Sequence, residues 1–134
     1  MPLIENDVIF AYMNKLDRQH ETAAKLMQKL GNGELAVELS SVALVEMELI
    51  YKSQGLENRL VEDLATVAAL PGIEMVPLTP DIAVAAAYLR ETHNLSFFDS
   101  HYAATSLAGD GTIIAFDAAY DKVPGLTRID PTKA

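Results

Sequence analysis

The sequence predicts an α/β fold: a mostly parallel central sheet of about five strands, flanked by helices so that the chain forms three layers. Three observations predict it. Short apolar runs of strand length recur at Leu3-Ile4, Leu35 to Leu39, Ile73 to Val76, Thr112 to Phe116 and Leu126 to Ile129. Between them lie stretches with apolar residues at helical spacing. The two kinds alternate, as a parallel sheet requires, because each return to the same edge of the sheet needs a crossover helix. At 134 residues the chain makes one domain, residues 1–134, since halves would each be too small for an ordinary core.

Leu3-Ile4 is the first strand and ends at Glu5. A helix runs from about Asp7 through Met13, carrying Val8, Ile9, Phe10 and Tyr12. The Asp17-Arg18-Gln19-His20 turn leads to a second helix, where Ala23, Leu26, Met27 and Leu30 repeat at helical spacing. Gly31-Asn32-Gly33 closes it ahead of the strand Leu35 to Leu39. Ser40 or Ser41 caps the next helix, which runs to about Ser53 before Gly55 breaks it. Glu57 to Leu70 is a further helix, stopped by Pro71-Gly72, and Ile73 to Val76 is the third strand. Thr79-Pro80-Asp81 combines a hydroxyl N-cap, a proline at the first helical position and an acid beside the helix dipole. That helix runs to about Asn94, and another begins at Ser96 and ends by Gly109. Thr112 to Phe116 is a β-branched strand, and a last one surrounds Leu126 to Ile129.

Ten Lys and Arg stand against nineteen Asp and Glu, a net charge of −9. Bulk charge of that sign repels nucleic acid and anionic membranes, which argues against a non-specific nucleic-acid coat protein. It leaves open an enzyme whose clustered carboxylates bind divalent cations. The absence of cysteine excludes disulfides, thiolate catalysis and Cys-ligated metal clusters. The first residues carry Glu5 and Asp7 and no basic n-region. The longest apolar run, Ala83 to Leu89, is far short of the ~20 residues that span a bilayer. A cytoplasmic protein without membrane contact is expected.

Solvent accounts for most of the acids. Glu48 pairs with Lys52 at i,i+4, and Glu57, Glu62, Asp63 and Glu91 read as solvated helix faces or first-turn charges. Four acids stand elsewhere. Glu5 and Asp117 each follow directly on an apolar strand, and ligands of open parallel sheets bind outside the carboxyl ends of strands. Either could equally be a helix N-cap. Glu46 falls inside the stripe of Val42, Leu49 and Ile50, where a carboxylate is costly unless it meets a cation or another partner. Asp99 stands at capping-box spacing from Ser96 but shares a stripe with Tyr102, Ala103 and Ser106. Carboxylates gathered together repel one another unless a cation offsets them, and hard oxygen ligands suit Mg²⁺ or Mn²⁺.

An acid after the first strand, a Glu inside the third helix, an Asp opening a late helix and an Asp after the following strand resemble the PIN-domain nucleases. Toxins of the VapC type are the commonest small members. The resemblance covers essentially the whole chain. It is fullest in Leu95-Ser96-Phe97-Phe98-Asp99-Ser100, Ala103-Ala104, Thr112 to Asp117, Tyr120-Asp121 and Val123-Pro124-Gly125. Ser41 to Glu46 reads like the family's second acidic motif.

This resemblance implies a three-layer PIN-like fold, with Glu5, Asp99 and Asp117 as metal-ligating acids and Glu46 as a fourth catalytic-pocket acid. Asp121 matches a downstream supporting acid. Also implied are Mg²⁺ or Mn²⁺, an RNA substrate cut to a 5′-phosphate, a homodimer, and a cognate antitoxin lying over the acidic groove. The chain departs from the pattern at Glu5-Asn6-Asp7, where Asp-Thr-Asn or Asp-Thr-Ser is usual, and at Ala115, where a hydroxyl residue often stands. Glu sets its carboxylate about 1.5 Å farther out than Asp, which makes Asp7 a second candidate ligand.

Other chemistries find less support. His20, His93 and His101 lack metal spacing, and no G-x-S-x-G or phosphate loop is present. His93 is expected at a helix end or in the core, and His101 on a first-turn surface. Phe97, Phe98, Tyr102 and Tyr12 are expected in the core rather than as a base-stacking platform. Lys15, Arg18 and Arg90 are available to hold phosphates, with nothing in the sequence to choose among them. A function of another class fits the same acids: a PIN-like module that binds protein or RNA without cutting. Metal binding separates the two.

Overall fold

Strand and helix alternate along the chain as expected, and the computed structural model describes all residues, 1–134. The elements are β1 (Leu3–Ile4), α1 (Asn6–Met13), α2 (His20–Gly31), β2 (Val37–Ser40), α3 (Val42–Ser53), α4 (Leu60–Ala68), β3 (Ile73–Val76), α5 (Pro80–His93), α6 (Phe97–Ala108), β4 (Thr112–Ile114) and β5 (Thr127–Ile129). All five strands join one sheet in the order β3-β2-β1-β4-β5, and every neighbouring pair is parallel. Leu3 lies opposite both Glu38 and Ile113, and Ile114 lies between Ile4 and Ile129. Leu3, Ile4, Val37, Leu39, Ile113 and Ile114 are fully buried, as befits parallel strands covered by helices on both faces.

Local chemistry sets the helix ends. Thr79 Oγ1 accepts from the Ile82 N–H and Ser96 Oγ from the Asp99 N–H, so both expected caps form. α5 stops at Asn94, which takes the left-handed conformation (φ 53°) that ends helices. At the α3 start the two serines divide the work. Ser40 Oγ accepts from Val42 N–H, whereas Ser41 Oγ accepts from Leu78 N–H and ties α3 to the segment after β3. Gly72 (φ +75°) is required where it stands, since a Cβ there would lie 2.9 Å from the Leu30 carbonyl oxygen.

Several boundaries differ from expectation. The helix expected over Glu57 to Leu70 opens as a 3₁₀ turn, Glu57–Arg59, before α4. β4 ends at Ile114, so Ala115 and Phe116 lead out of the sheet, and a 3₁₀ turn, Ala118–Lys122, follows Asp117. Asp63 is buried, not solvated: it accepts a 2.5 Å hydrogen bond from Tyr51 Oη and lies 3.7 Å from Arg59. That bond pins α4 to α3, and the carboxylate and burial together push the Tyr51 phenol up to about 12. Leu49, assigned to the buried stripe of α3, is 52% exposed, and the buried face runs through Val42, Ala43, Met47 and Tyr51. No helix is long and apolar enough to cross a membrane.

Candidate active site

The strand order decides where the acids meet. β1 lies between β2 and β4; the chain leaves β1 toward β2 and reaches β4 only later, from β3. The β1–β4 boundary is therefore a topological switch point, where a crevice opens beyond the carboxyl ends of the strands. The Glu5 N–H, donating to the Ile114 carbonyl at 2.9 Å, marks the adjacency of the two strand ends.

Glu5 caps α1 by accepting from the Asp7 N–H at 3.2 Å, and it is only 5% exposed. Burial, then the charge of Asp7, then those of Asp99 and Glu46 push its carboxyl well above the usual carboxylate range. Burial raises Asp7 also, while hydrogen bonds from Glu5 and from two backbone N–H groups pull against that rise. Those groups belong to Phe116 (2.9 Å) and Asp117 (3.0 Å), and both donate to Asp7 Oδ2. Asp7 Oδ1 is buried without a partner.

Glu46 reaches the same place from α3. Its Oε1 accepts from Asn6 Nδ2 (3.0 Å) and from Tyr102 Oη (2.7 Å). Asn6 also donates to the Ala43 carbonyl, which anchors α1 on α3. The partner expected to make an inward-facing Glu46 tolerable is thus a phenol and an amide, not a Lys or Arg. Asp99, in the first turn of α6, does not return to cap Ser96. Its Oδ1 accepts from Tyr120 Oη at 3.2 Å, and the Tyr120 ring is fully buried. Burial and the charges of Glu5, Asp99 and Asp7 drive the Tyr120 phenol far upward, so it remains a donor.

The structure gathers Glu5, Asp7, Glu46 and Asp99, each close enough to Glu5 to shift its ionisation. Asp117 stands on the rim, exposed, with Oδ1 capping the following 3₁₀ turn through the Ala119 N–H at 2.8 Å. Asp121 stays apart, in a two-bond pairing with Arg128. The expected convergence of Glu5, Asp99 and Asp117 is not closed: no three acidic or histidine side chains come within common reach of one ion. Mutual repulsion opposes closer approach of the carboxylates. The donor set still fits a hard divalent cation. Glu46 Oε2, Asp99 Oδ2 and Asp117 Oδ2 have no hydrogen-bond partner, and Asp7 Oδ1 is orphaned.

Asn6, Tyr102 and Tyr120, which donate hydrogen bonds to these carboxylates, are the candidate-site residues that the sequence pattern did not single out. The two tyrosines had a signal, because a buried phenol needs a polar partner for its hydroxyl and the carboxylates were the nearest unmet acceptors. Two other expectations are corrected. His101 is 6% exposed rather than on the surface, with Nδ1 unpaired, and burial together with the Arg90 charge holds its pKa down. Phe97, expected in the core, is 55% exposed.

The profile of the PIN domain family matches residues 3–126. The chain belongs to the PIN domain family, which bears out the resemblance read from the order of its acids. Among solved structures it is similar to VapBC2 from Rickettsia felis bound to a DNA fragment from the promoter, with a TM-score of 0.74 at 13% identity over 95% of this chain and 96% of that one. It is also similar to VapC20 of Mycobacterium tuberculosis, a sarcin–ricin loop cleaving toxin (TM-score 0.72, 20% identity, 88% and 91% covered). A toxin–antitoxin complex from Klebsiella pneumoniae aligns over 100% of both chains with a TM-score of 0.66 at 18% identity. At these identities the likeness is one of fold. No curated protein sequence matches the chain.

Proposed function

We propose that this protein is a Mg²⁺- or Mn²⁺-dependent endoribonuclease and the toxin of a toxin–antitoxin pair. One observation carries the reading: the charges of Asp7, Asp99 and Glu46 all reach Glu5 at the sheet's switch point, and none of the four makes an ion pair with Lys or Arg. Uncompensated, such a cluster is costly, and a divalent cation is the counter-charge that suits its hard oxygen donors. Glu5, Asp99 and Asp117 would hold the ion, with Glu46 ligating directly or through water and Asp7 beside them. The chemistry such an ion would supply there is an offset of charge on the scissile phosphate and a lowered pKa for the attacking water.

The protein's own groups do the positioning. Tyr102 and Asn6 engage one oxygen of Glu46, Tyr120 engages one of Asp99, and the Ala119 N–H engages one of Asp117. Each carboxylate is thereby oriented while its other oxygen stays available. Asp7 ties the Asp117 backbone to α1 and so sets the width of the crevice between the β1 and β4 ends. The toxin–antitoxin assemblies among the structural neighbours support a cognate antitoxin as partner, and the same reading includes a homodimer and a cytoplasmic setting.

A second reading, a PIN-like module that binds protein or RNA without cutting, draws on one observation: Glu5 is held toward its protonated form, which opposes metal ligation. Cleavage of a mixed, structured RNA pool with Mn²⁺, Mg²⁺ or EDTA tests both. The nuclease cuts with metal, stops with EDTA, and loses cutting in Asp99→Asn purified in parallel. Identical traces for the wild type and Asp99→Asn leave the binding module.

A further inference from the structure

Arg90 is singled out among the cations by its surroundings. Its guanidinium carbon lies 5.0 Å from the centroid of the Phe97 ring, and its Nη1 donates to Ser100 Oγ at 2.8 Å. Like Arg18 and the lysines it makes no ion pair, but it alone among the cations lies over an aromatic ring. One hydrogen bond leaves most of its five N–H donors free. Arg128, by contrast, is committed to Asp121, Asp130 and the Ala115 carbonyl.

Phe97 is equally unusual. It opens α6, two residues before Asp99, and more than half of it is exposed. Phe98 meets its ring edge-on at 5.1 Å, and His101, one helical turn on, lies 4.8 Å away at a 54° tilt. The Arg90 guanidinium lies over one face of the ring, and 55% of the residue stays exposed. Beneath it the buried His101 Nδ1 has no partner, so the cluster is incomplete in its polar contacts as well as in its packing. The N-terminal end of α6 also favours negative charge.

We infer that Phe97 and Arg90 form a single-stranded RNA subsite across α6 from the acids, Phe97 stacking one base and Arg90 holding the adjoining phosphate. The inference rests on the nuclease reading for its substrate. An exposed, pre-oriented aromatic ring beside an unpaired Arg is the combination that binds unpaired nucleotides, since every base has a face to stack and every linkage a phosphate to pair. Phe97 and Asp99 lie about 200° apart around the first turn of α6, so the subsite and the acids are separated by roughly a helix diameter, about 10 Å. The stacked base therefore belongs to a nucleotide a few positions from the scissile bond. It contributes to affinity and to the choice of sequence, not to the chemical step.

The test titrates a single-stranded RNA carrying 2-aminopurine into the Asp99→Asn chain, then into the same chain with Phe97→Leu, Phe97→Tyr or Arg90→Gln. Stacking predicts quenched fluorescence, retained in Phe97→Tyr and lost in Phe97→Leu, with about 5- to 100-fold weaker binding in the latter. Arg90→Gln weakens binding and lowers the slope of log affinity against log salt by about 1. The position of Phe97 at an exposed helix start allows these changes in a folded protein, and equal melting temperatures check it. RNA binding that is absent, or equal in Phe97→Leu and its parent, overturns the subsite; the second result would assign this surface to a protein contact. Metal-dependent cutting by wild type together with that result leaves the nuclease reading intact. Phe97-dependent binding without cutting under any metal keeps the subsite and defeats the nuclease.

Discussion

The carboxylate of Asp7, at the start of α1, holds the backbone N–H of Asp117 at 3.0 Å across 110 residues of sequence. The same oxygen takes the Phe116 N–H at 2.9 Å, so one side chain joins the β1 end to the β4 end. Asp7→Ala removes both charge-assisted bonds and is expected to cost about 2–3 kcal/mol. Asp7→Asn keeps an acceptor and is expected to cost less than half of that. Urea unfolding of the two variants decides it, and equal losses would show that Asp7 does not strap the two ends together.

Glu5 gives the metal-free protein a defined pH dependence. Its folded pKa lies well above the ordinary 4.5, so between those two values the native state holds more protons than the unfolded chain. Stability must then fall as pH rises from about 4.5 and level off above the folded pKa. Asp7, raised from 3.8, adds to the same trend. Glu5→Gln should flatten the fall and raise the melting temperature in EDTA at pH 7.5. In wild type, Mn²⁺ should raise the melting temperature more at pH 7.5 than at pH 5, since ligation needs the ionised acid. A metal effect that is absent, or larger at pH 5, would count against carboxylate ligation.

Tyr120→Phe isolates the orientation of Asp99. The ring stays buried and packed, while the 3.2 Å hydrogen bond to Asp99 Oδ1 is lost. Activity on RNA is expected to drop about tenfold, the effect of one hydrogen bond to a charged group. Stability should change by less than about 1 kcal/mol, because the partner carboxylate can turn to solvent. Unchanged turnover would remove Tyr120 from the site.

Away from the crevice, Tyr51→Phe tests the joint between α3 and α4. It leaves the Asp63 carboxylate buried without its phenol donor, with only Arg59 nearby at 3.7 Å. A loss of about 1.5–3 kcal/mol is expected. Tyr51→Phe combined with Asp63→Leu should recover part of it, because neither member is then left unpaired. Chemical denaturation of the single and double variants measures that coupling.

Much of the fold was legible residue by residue. Thr79 and Ser96 cap the helices they were expected to cap, and each of the five apolar runs contains a strand, with Leu35, Ala115, Phe116 and Leu126 lying just outside. Glu5, Glu46, Asp99 and Asp117 stand out because each occupies a place where solvent alone does not account for an acid, and of these the charges of Glu46 and Asp99 reach Glu5 while Asp117 stays exposed. Asp63 reads as solvated in the sequence because a first-turn acid on a helix looks alike whether water or a phenol receives it. His101 and Phe97 depart from expectation in opposite directions, one buried and one exposed, because helical spacing does not record which surfaces meet the end of a helix.

The sequence by itself determined the alternation of strands and helices, the chain positions of the unusual acids and the family they belong to. Those are local properties, written in residue type and spacing over a few turns. The tertiary structure alone decided that β1 lies between β2 and β4, and so that Glu5 and Asp117 flank one crevice. It also decided that phenols and an amide, from as far as 56 residues away, orient the carboxylates, and that Arg90 lies against the Phe97 ring. Such pairings depend on which surfaces meet when the layers pack, and a one-dimensional pattern of polarity carries no term for that.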